Sequence, residues 1–448
     1  MELRRKAADR IEKWYREERN ALLVTGARQV GKTFLIRQVL SELDCDVVEV
    51  NLIETPEMIS VLEQSRTADD LILGFSTIGV KPPVPGRSVI FIDEVQKCRD
   101  MVTRIKFLVE EGSFRYILSG SLLGIELTGL SSVPVGYLSI LDMFPLDFEE
   151  FLQITNINDD IVSSLRASFF NRKPVLEAVN SKMLSLFSRY LMIGGMPAAV
   201  SRFAETNNIE DVMQIHNELV RSYKLDFTQY EQADRRLLIS NTYDLIPSEL
   251  LKNNKRFIVS DLKKGLHYER VESTFLWLEN AGVAISAYNA TEPRIPLRLN
   301  EKHSLFKLYL SDVGLLTSLY GLSTKRMLFS GASELNAGGI YENAVAQELY
   351  SRRFPIYYYN SNRLGELDFV IEYEGKILPI EVKSGKDYTT HSAINNCMNN
   401  REFGIDEAFV FANCNIERTD RVTYLPIYMI MFLESDANGS LELPEIVF

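Results

Sequence analysis

The stretch Ala21-Leu22-Leu23-Val24-Thr25-Gly26-Ala27-Arg28-Gln29-Val30-Gly31-Lys32-Thr33 decides the fold of the amino-terminal part of this chain. Its first five residues are an apolar run that reads as a buried strand. Phe34-Leu35-Ile36-Arg37-Gln38-Val39-Leu40 beyond it reads as a helix. Between them lies the full G-x-x-x-x-G-K-[ST] spacing in the strand–loop–helix context that gives it meaning. Glycines at both ends let consecutive backbone N–H groups turn inward around phosphate oxygens, where a side chain would intrude. The helix that follows turns its partially positive amino end toward the same anion. Gly26, Ala27, Arg28, Gln29, Val30, Gly31, Lys32 and Thr33 are therefore the candidate cradle for ATP. Lys32 is expected at the β- and γ-phosphates and Thr33 on Mg²⁺. A chance glycine loop is the alternative.

Residues further along bear on that choice. Ser88-Val89-Ile90-Phe91-Ile92 is a second buried-strand run, and it ends in Asp93-Glu94. Acidic groups at the carboxyl end of a parallel strand sit where ligands bind in open α/β sheets. Asp93 is the candidate holder of Mg²⁺ through its water shell, and Glu94 the candidate for polarising the water that attacks the γ-phosphate. A third strand, Arg115-Tyr116-Ile117-Leu118, ends in Ser119-Gly120-Ser121. Ser119 is placed to lie between the acidic pair and the γ-phosphate. One polar strand end is an ordinary loop start; three beside a phosphate loop form a pattern.

Composition bounds the rest. A chain of 448 residues exceeds a single core, and two or three domains are expected. Hydrophobic residues make up 46% and charged residues 25%, as in an ordinary globular protein. No window approaches the ~18 uninterrupted apolar residues of a membrane span. Met1-Glu2-Leu3-Arg4-Arg5-Lys6 leads into a charged amphipathic stretch unlike a secretory signal. Cys45, Cys98, Cys397 and Cys414 lack metal-like spacing and read as reduced thiols of a cytoplasmic protein. His216, His267, His303 and His391 are scattered, which gives little support to a histidine metal site or a Ser/His triad. The net charge of −12 opposes a surface that coats nucleic acid indiscriminately, while leaving room for a local basic patch.

The organisation expected from pattern is α/β. Residues 1–155 alternate helix and buried strand, as a parallel-sheet domain does. Asp147 with Glu150 three residues on outlines a capping box. Residues 156–245 carry apolar positions at helical spacing, such as Met183, Leu186, Phe187, Tyr190 and Leu191, and form an expected helical subdomain interrupted at Gly194-Gly195-Met196-Pro197. Residues 246–325 read as a winged-helix-like domain. It would have a short helix at Asp261-Leu262-Lys263-Lys264, a second from Tyr268 to Glu279, and a wing strand from Val283 to Tyr288. Lys252, Lys255, Arg256, Lys263, Lys264 and Arg270 make this a basic stretch. Glu269, Glu272 and Glu279 on the second helix weigh against groove reading and favour a structural linker.

Residues 326–448 hold a different constellation. Gly338 to Leu349 reads as a helix with Glu342 near its start. Gly365-Glu366-Leu367-Asp368-Phe369-Val370-Ile371 and Ile377-Leu378-Pro379-Ile380-Glu381-Val382-Lys383 read as a hairpin. Period two puts Glu381 and Lys383 on one strand face. Asp368, Glu381 and Lys383, with Glu342 upstream, offer carboxylates for a divalent cation and an ammonium for phosphate, the D…E-x-K arrangement of nucleases. Cross-strand salt bridging is the plainer reading.

Taken together, the chain resembles a widespread prokaryotic family of AAA-type ATP-binding proteins with a C-terminal restriction-endonuclease-like domain. The resemblance is carried by Gly26 to Thr33, Asp93-Glu94, Ser119-Gly120-Ser121, Phe144 to Phe151, Gly194-Gly195-Met196-Pro197, Trp277-Leu278-Glu279-Asn280-Ala281-Gly282, Asp312-Val313-Gly314-Leu315, Glu342, Asp368 and Ile380-Glu381-Val382-Lys383-Ser384. It implies a P-loop ATPase module and a DNA-related or regulatory role. Many relatives carry a Gly-Arg pair where this chain has Val133-Pro134-Val135-Gly136-Tyr137, which leaves Arg104 and Arg115 as positional candidates for a charge-stabilising finger. Three functions follow as expectations: an Mg-dependent ATPase switch, a metal-dependent nuclease gated by ATP, or a non-enzymatic nucleotide-gated regulator that binds DNA or protein.

Overall fold

The computed structural model describes residues 3–121, 136–229, 233–332 and 335–435. The chain divides into two compact units, Met1–Leu146 with Leu276–Val283, and Asp147–Phe275 with Ala284–Phe448.

Five parallel strands make the first unit: β1 (Ala21–Gly26), β2 (Asp46–Asn51), β3 (Ser88–Asp93), β4 (Arg115–Ser119) and β5 (Leu138–Met143), in the order β2-β3-β4-β1-β5. Every residue of β3 is buried. That explains its unbroken apolar run, because a parallel strand is covered on both faces. Leu23, Val50, Ile90, Ile92 and Leu118 pack with Met58, Leu71, Phe75 and Ile105 from the flanking helices. Parallel pairing brings all five carboxyl ends to one edge, with Asn51 beside Asp93 and Gly26 beside Met143. The expected N-terminal α/β sheet is thus present.

The second unit begins with the expected capping box. The Glu150 N–H donates to Asp147 Oδ1 at 2.8 Å, and the Asp147 N–H donates to Glu150 Oε2 at 3.3 Å. Helices Asp159–Asn171, Glu177–Ile193, Pro197–Thr206, Ile209–Gln229 and Ala233–Leu250 follow. Met183, Leu186, Phe187, Tyr190 and Leu191 all lie buried on the second of them. Among the described residues no single helix is long and apolar enough to cross a membrane.

Eight strands complete this unit: β6 (Ala284–Ala290), β7 (Glu301–Leu310), β8 (Tyr357–Ser361), β9 (Gly365–Tyr373), β10 (Lys376–Lys383), β11 (Ala408–Ala412), β12 (Glu417–Thr419) and β13 (Val422–Pro426). They lie in the order β12-β13-β11-β10-β9-β8-β6-β7. Here the structure departs from the expected winged helix. The strand assigned to the wing is β6, which pairs antiparallel with β7 and parallel with β8, so one sheet runs across the 325/326 boundary. The expected second helix splits into a 3₁₀ turn, Tyr268–Arg270, and an α-helix, Glu272–Asn280. Aromatic packing gives the reason. Phe257 and Phe275 lie 5.6 and 4.6 Å from the Phe306 ring of β7, and the Phe257 N–H donates to the Phe306 carbonyl at 2.9 Å. The segment is pinned to the sheet, and its basic side chains are partly engaged: Lys252 pairs with Glu249 and Asp261.

Candidate functional site

At the carboxyl edge of the first sheet, the sequence-expected residues converge on Asp93. Thr33 Oγ1 donates to Asp93 Oδ2 at 3.1 Å, and Ser119 Oγ donates a short bond to Asp93 Oδ1. Asn51 Nδ2 adds a third donor at 3.3 Å, and the Glu94 N–H a fourth at 3.1 Å. Each donor comes from a different strand end or from the helix after the loop, so the sheet register itself builds the cluster. Asp93 and Ser119 are buried.

The loop preceding the helix has the backbone that phosphate cradles require. Gly26, Gln29 and Gly31 have φ of +135°, +65° and +93°. A Cβ at Gly26 would stand 2.1 Å from the Met143 carbonyl oxygen, so no other residue fits that turn. Lys32 is buried, and its Nζ donates to the Gly26 and Ala27 carbonyls at 3.0 and 2.8 Å. Burial lowers its pKa to about 8, partly opposed by Glu94 and Asp93. Glu94 sits in the left-handed region at φ +58°, a strained backbone of the kind found at functional sites. Gln96 Nε2 donates to its Oε2 carboxylate oxygen.

Sequence reasoning missed four supporting residues. Asn51 and Gln96 orient the acidic pair. Arg5 bridges the Val30 carbonyl at 3.0 Å and the Phe144 carbonyl at 2.7 Å, clamping the loop from outside. Gly282 backs the loop: a Cβ there would lie 2.9 Å from the Ala27 nitrogen. Asn51, Gln96 and Arg5 belong to no local pattern, and although Gly282 closes the Trp277–Gly282 motif, its place behind the loop is defined only by the fold. The finger candidates are placed elsewhere. Arg104 donates to the Glu63 carbonyl, and Arg115 starts β4, at the opposite end of that strand from Ser119. Residues 133–135 of the substituted stretch lie outside the described residues.

Thr33 Oγ1 and Asp93 Oδ2 give two hard oxygen donors side by side at a helix amino end, a donor set that fits Mg²⁺ beside a phosphate.

The second constellation lies in the other unit. Antiparallel pairing of β9 and β10 runs as far as Ile380 opposite Phe369, beside Glu381 and Asp368, and Asp368 Oδ2 accepts the Val382 N–H at 2.9 Å. Lys383 Nζ lies 2.8 Å from Glu381 Oε1. Glu342 is buried on the helix Gly338–Ser351. Lys255 and Lys307, neither foreseen as part of the site, reach Glu342 at 2.5 and 3.6 Å, and Lys307 also pairs with Glu366 at 2.7 Å. Burial raises Asp368 well above the usual carboxylate range, reinforced by Glu342 and Glu381. Burial pushes Glu342 the same way, but Lys307 and Lys255 outweigh it and lower its pKa. The ammonium groups of Lys255 and Lys307 therefore neutralise the buried Glu342 carboxylate. Among the described residues no three His, Cys, Asp or Glu side chains are grouped to hold a metal. The four cysteines are free thiols.

Comparison with known proteins bears on the fold of the first unit. Residues 18–152 match the AAA domain family; residues 184–326 and 337–430 match two domains of unknown function, DUF8612 and DUF4143. Residues 18–152 are accordingly similar to AAA domains, in keeping with the parallel α/β sheet of the first unit. No curated protein matches the chain. Similar solved structures include the Walker-type ATPase PABY2304 of Pyrococcus abyssi, at 14% identity over 71% of this chain and 96% of that one, TM-score 0.43. Another is the Aeropyrum pernix ORC1 protein in complex with DNA, at 15% identity over 72% and 92%, TM-score 0.25. The Thermotoga maritima RuvB Holliday junction branch migration motor matches at 14% identity over 66% and 91%, TM-score 0.28. At these scores the likeness extends neither to substrate nor to partner.

Proposed function

We propose that this protein binds Mg-ATP and hydrolyses it, using the nucleotide state as a switch for the second unit. The observation that supports this reading best is the fourfold hydrogen bonding of Asp93 by Thr33, Ser119, Asn51 and the Glu94 backbone beside the glycine-bracketed loop. Lys32 exchanges its two carbonyl partners for β- and γ-phosphate oxygens. Thr33 and Asp93 would hold Mg²⁺, which would supply neutralisation of phosphate charge. Glu94, steadied by Gln96, accepts the proton of the attacking water. Ser119 keeps the Asp93 carboxylate oriented. Replacing Lys32 with Ala is expected to abolish ATP binding in calorimetry, and unchanged affinity refutes the assignment. Glu94→Gln is expected to keep binding and lose about 10²-fold or more in turnover. Stimulation of turnover by DNA or RNA in the same assay would name the partner class.

The lysine-neutralised cluster around Glu342 favours a regulatory C-terminal domain over a cleaving one. A nuclease-like site at Glu342, Asp368, Glu381 and Lys383 would have to expel Lys255 before a cation entered. The expected outcome is no cleavage of DNA or RNA with Mg²⁺ or Mn²⁺; cleavage that disappears in Lys383→Ala would reverse this reading.

A further inference from the structure

The edge of the first sheet opposite the phosphate loop carries a second feature. The amino ends of β3 and β4, with the residues leading into β1, enclose a cavity of about 410 Å³ lined by Tyr15, Arg19, Arg87, Ser113, Phe114 and Arg115. β3 runs six residues from Ser88 to Asp93. At roughly 3.3 Å per residue, about 17 Å of strand separates this cavity from the Asp93 carboxylate. A triphosphate held at one edge therefore does not reach the other.

Three arginines line this cavity in a chain whose net charge is −12. Several nearby acids have other partners, although the Asp46 carboxylate also feels Arg87. Glu18 pairs with Arg10 at 2.8 Å, Asp46 with Lys81 and with Ser88, and Glu111 accepts the Ser113 N–H at 3.0 Å. Among the described residues no carboxylate forms an ion pair with Arg19, Arg87 or Arg115. Arg115 is fixed in place: its Nη1 donates to the Glu18 carbonyl at 2.6 Å, and its guanidinium lies 5.0 Å from the centre of the Tyr15 ring. Burial lowers the Arg115 pKa, and the like charge of Arg19 lowers it further, so the cluster is assembled against repulsion. Arginines gathered in a concave site suit oxyanion ligands, because a planar guanidinium fork can meet two oxygens at once. The volume sits in the lower range for small-ligand sites.

We propose that this cavity binds the oligophosphate of a small ligand, gripped by Arg19 and Arg87 against the fixed fork of Arg115, independently of the phosphate loop. The test is calorimetry on the full-length Lys32→Ala chain, in which the loop is silent, with tripolyphosphate as probe. Should that variant fail to fold, the chain saturated with a non-hydrolysable ATP analogue takes its place. Saturable binding is expected, weakening with added NaCl and falling at least about 10-fold in Arg19→Gln with Arg87→Gln. No saturable binding, or affinity unchanged by the arginine pair, overturns the proposal. So does citrate binding as tightly as tripolyphosphate, or binding of a single-stranded oligonucleotide alone. ATP titrated into the arginine double variant with Lys32 intact separates the two sites. Retained ATP affinity with lost tripolyphosphate binding supports the cavity, and loss of both overturns its independence.

Discussion

Lys32 is where local environment and ligand chemistry meet most directly. Buried beneath the loop, it has a pKa lowered to about 8, and only carbonyl oxygens accept from it. A bound triphosphate raises that pKa again by bringing negative charge to the ammonium. The sign follows: below pH 8 the lysine is already charged and ATP binds without a proton, while above pH 8 binding must recruit one. ATP affinity is therefore expected to fall as pH rises past 8, with proton uptake visible as a buffer-dependent heat in calorimetry. Lys32→Arg, which stays charged, should remove the pH dependence even if it weakens binding. A flat profile from pH 7 to 9 in the native chain would contradict the assigned environment. The residues of this site were legible because they repeat a fixed spacing. Asn51, Arg5 and Gln96 were not, since they join the site only through sheet pairing and loop packing.

At the scale of elements, two short glycine-containing segments prove to be one joint. The helix Glu177–Ile193 ends at Gly194, whose φ is +72°, and the next helix opens at Pro197. Asp312 caps the helix Val313–Leu319 by accepting the Leu315 N–H at 2.9 Å, and it also accepts the Gly195 N–H at 2.6 Å. A Cβ at Gly194 would stand 2.3 Å from Asp312 Oδ1, and one at Gly314 would stand 2.4 Å from the Ile193 carbonyl oxygen. Along the chain these segments lie more than a hundred residues apart, so their partnership is invisible in sequence. Burial raises the Asp312 pKa from 3.8 to about 6, against the backbone bonds that lower it. A raised carboxylate pKa means that the folded state binds the proton more tightly. Stability from this group is present below pH 3.8 and lost as pH rises to about 6, by about 3 kcal/mol. Asp312→Asn should flatten that part of the denaturation profile. An unchanged slope between pH 4 and 6 would show that another group carries it.

Across the whole molecule, alternation of strand and helix correctly announced the parallel sheet of the first unit, because buried parallel strands leave continuous apolar runs. The second unit was harder to read. Its strands run up to ten residues and pair out of chain order, and β6 reads as a local wing in sequence because strand propensity says nothing about which sheet a strand joins. The eight-stranded sheet places β6 between β7 and β8, and the fully buried Lys307 of β7 pairs with Glu342 and Glu366 from beyond the expected boundary. Cutting the chain at 326 would remove that counter-charge and leave Glu342 buried with Lys255 gone as well. It would also strip Phe306, Leu308 and Tyr309 from the core and uncover the edge of β8. Removing one partner of a buried ion pair costs about 3–5 kcal/mol by itself, a large share of the stability of any domain. The fragment 326–448 is therefore expected to be insoluble or to lack a cooperative melt by circular dichroism, whereas the fragment 147–448 keeps all eight strands and should melt cooperatively. A well-folded 326–448 fragment would show that β6 and β7 are dispensable and that the carboxylate cluster tolerates the loss of both lysines.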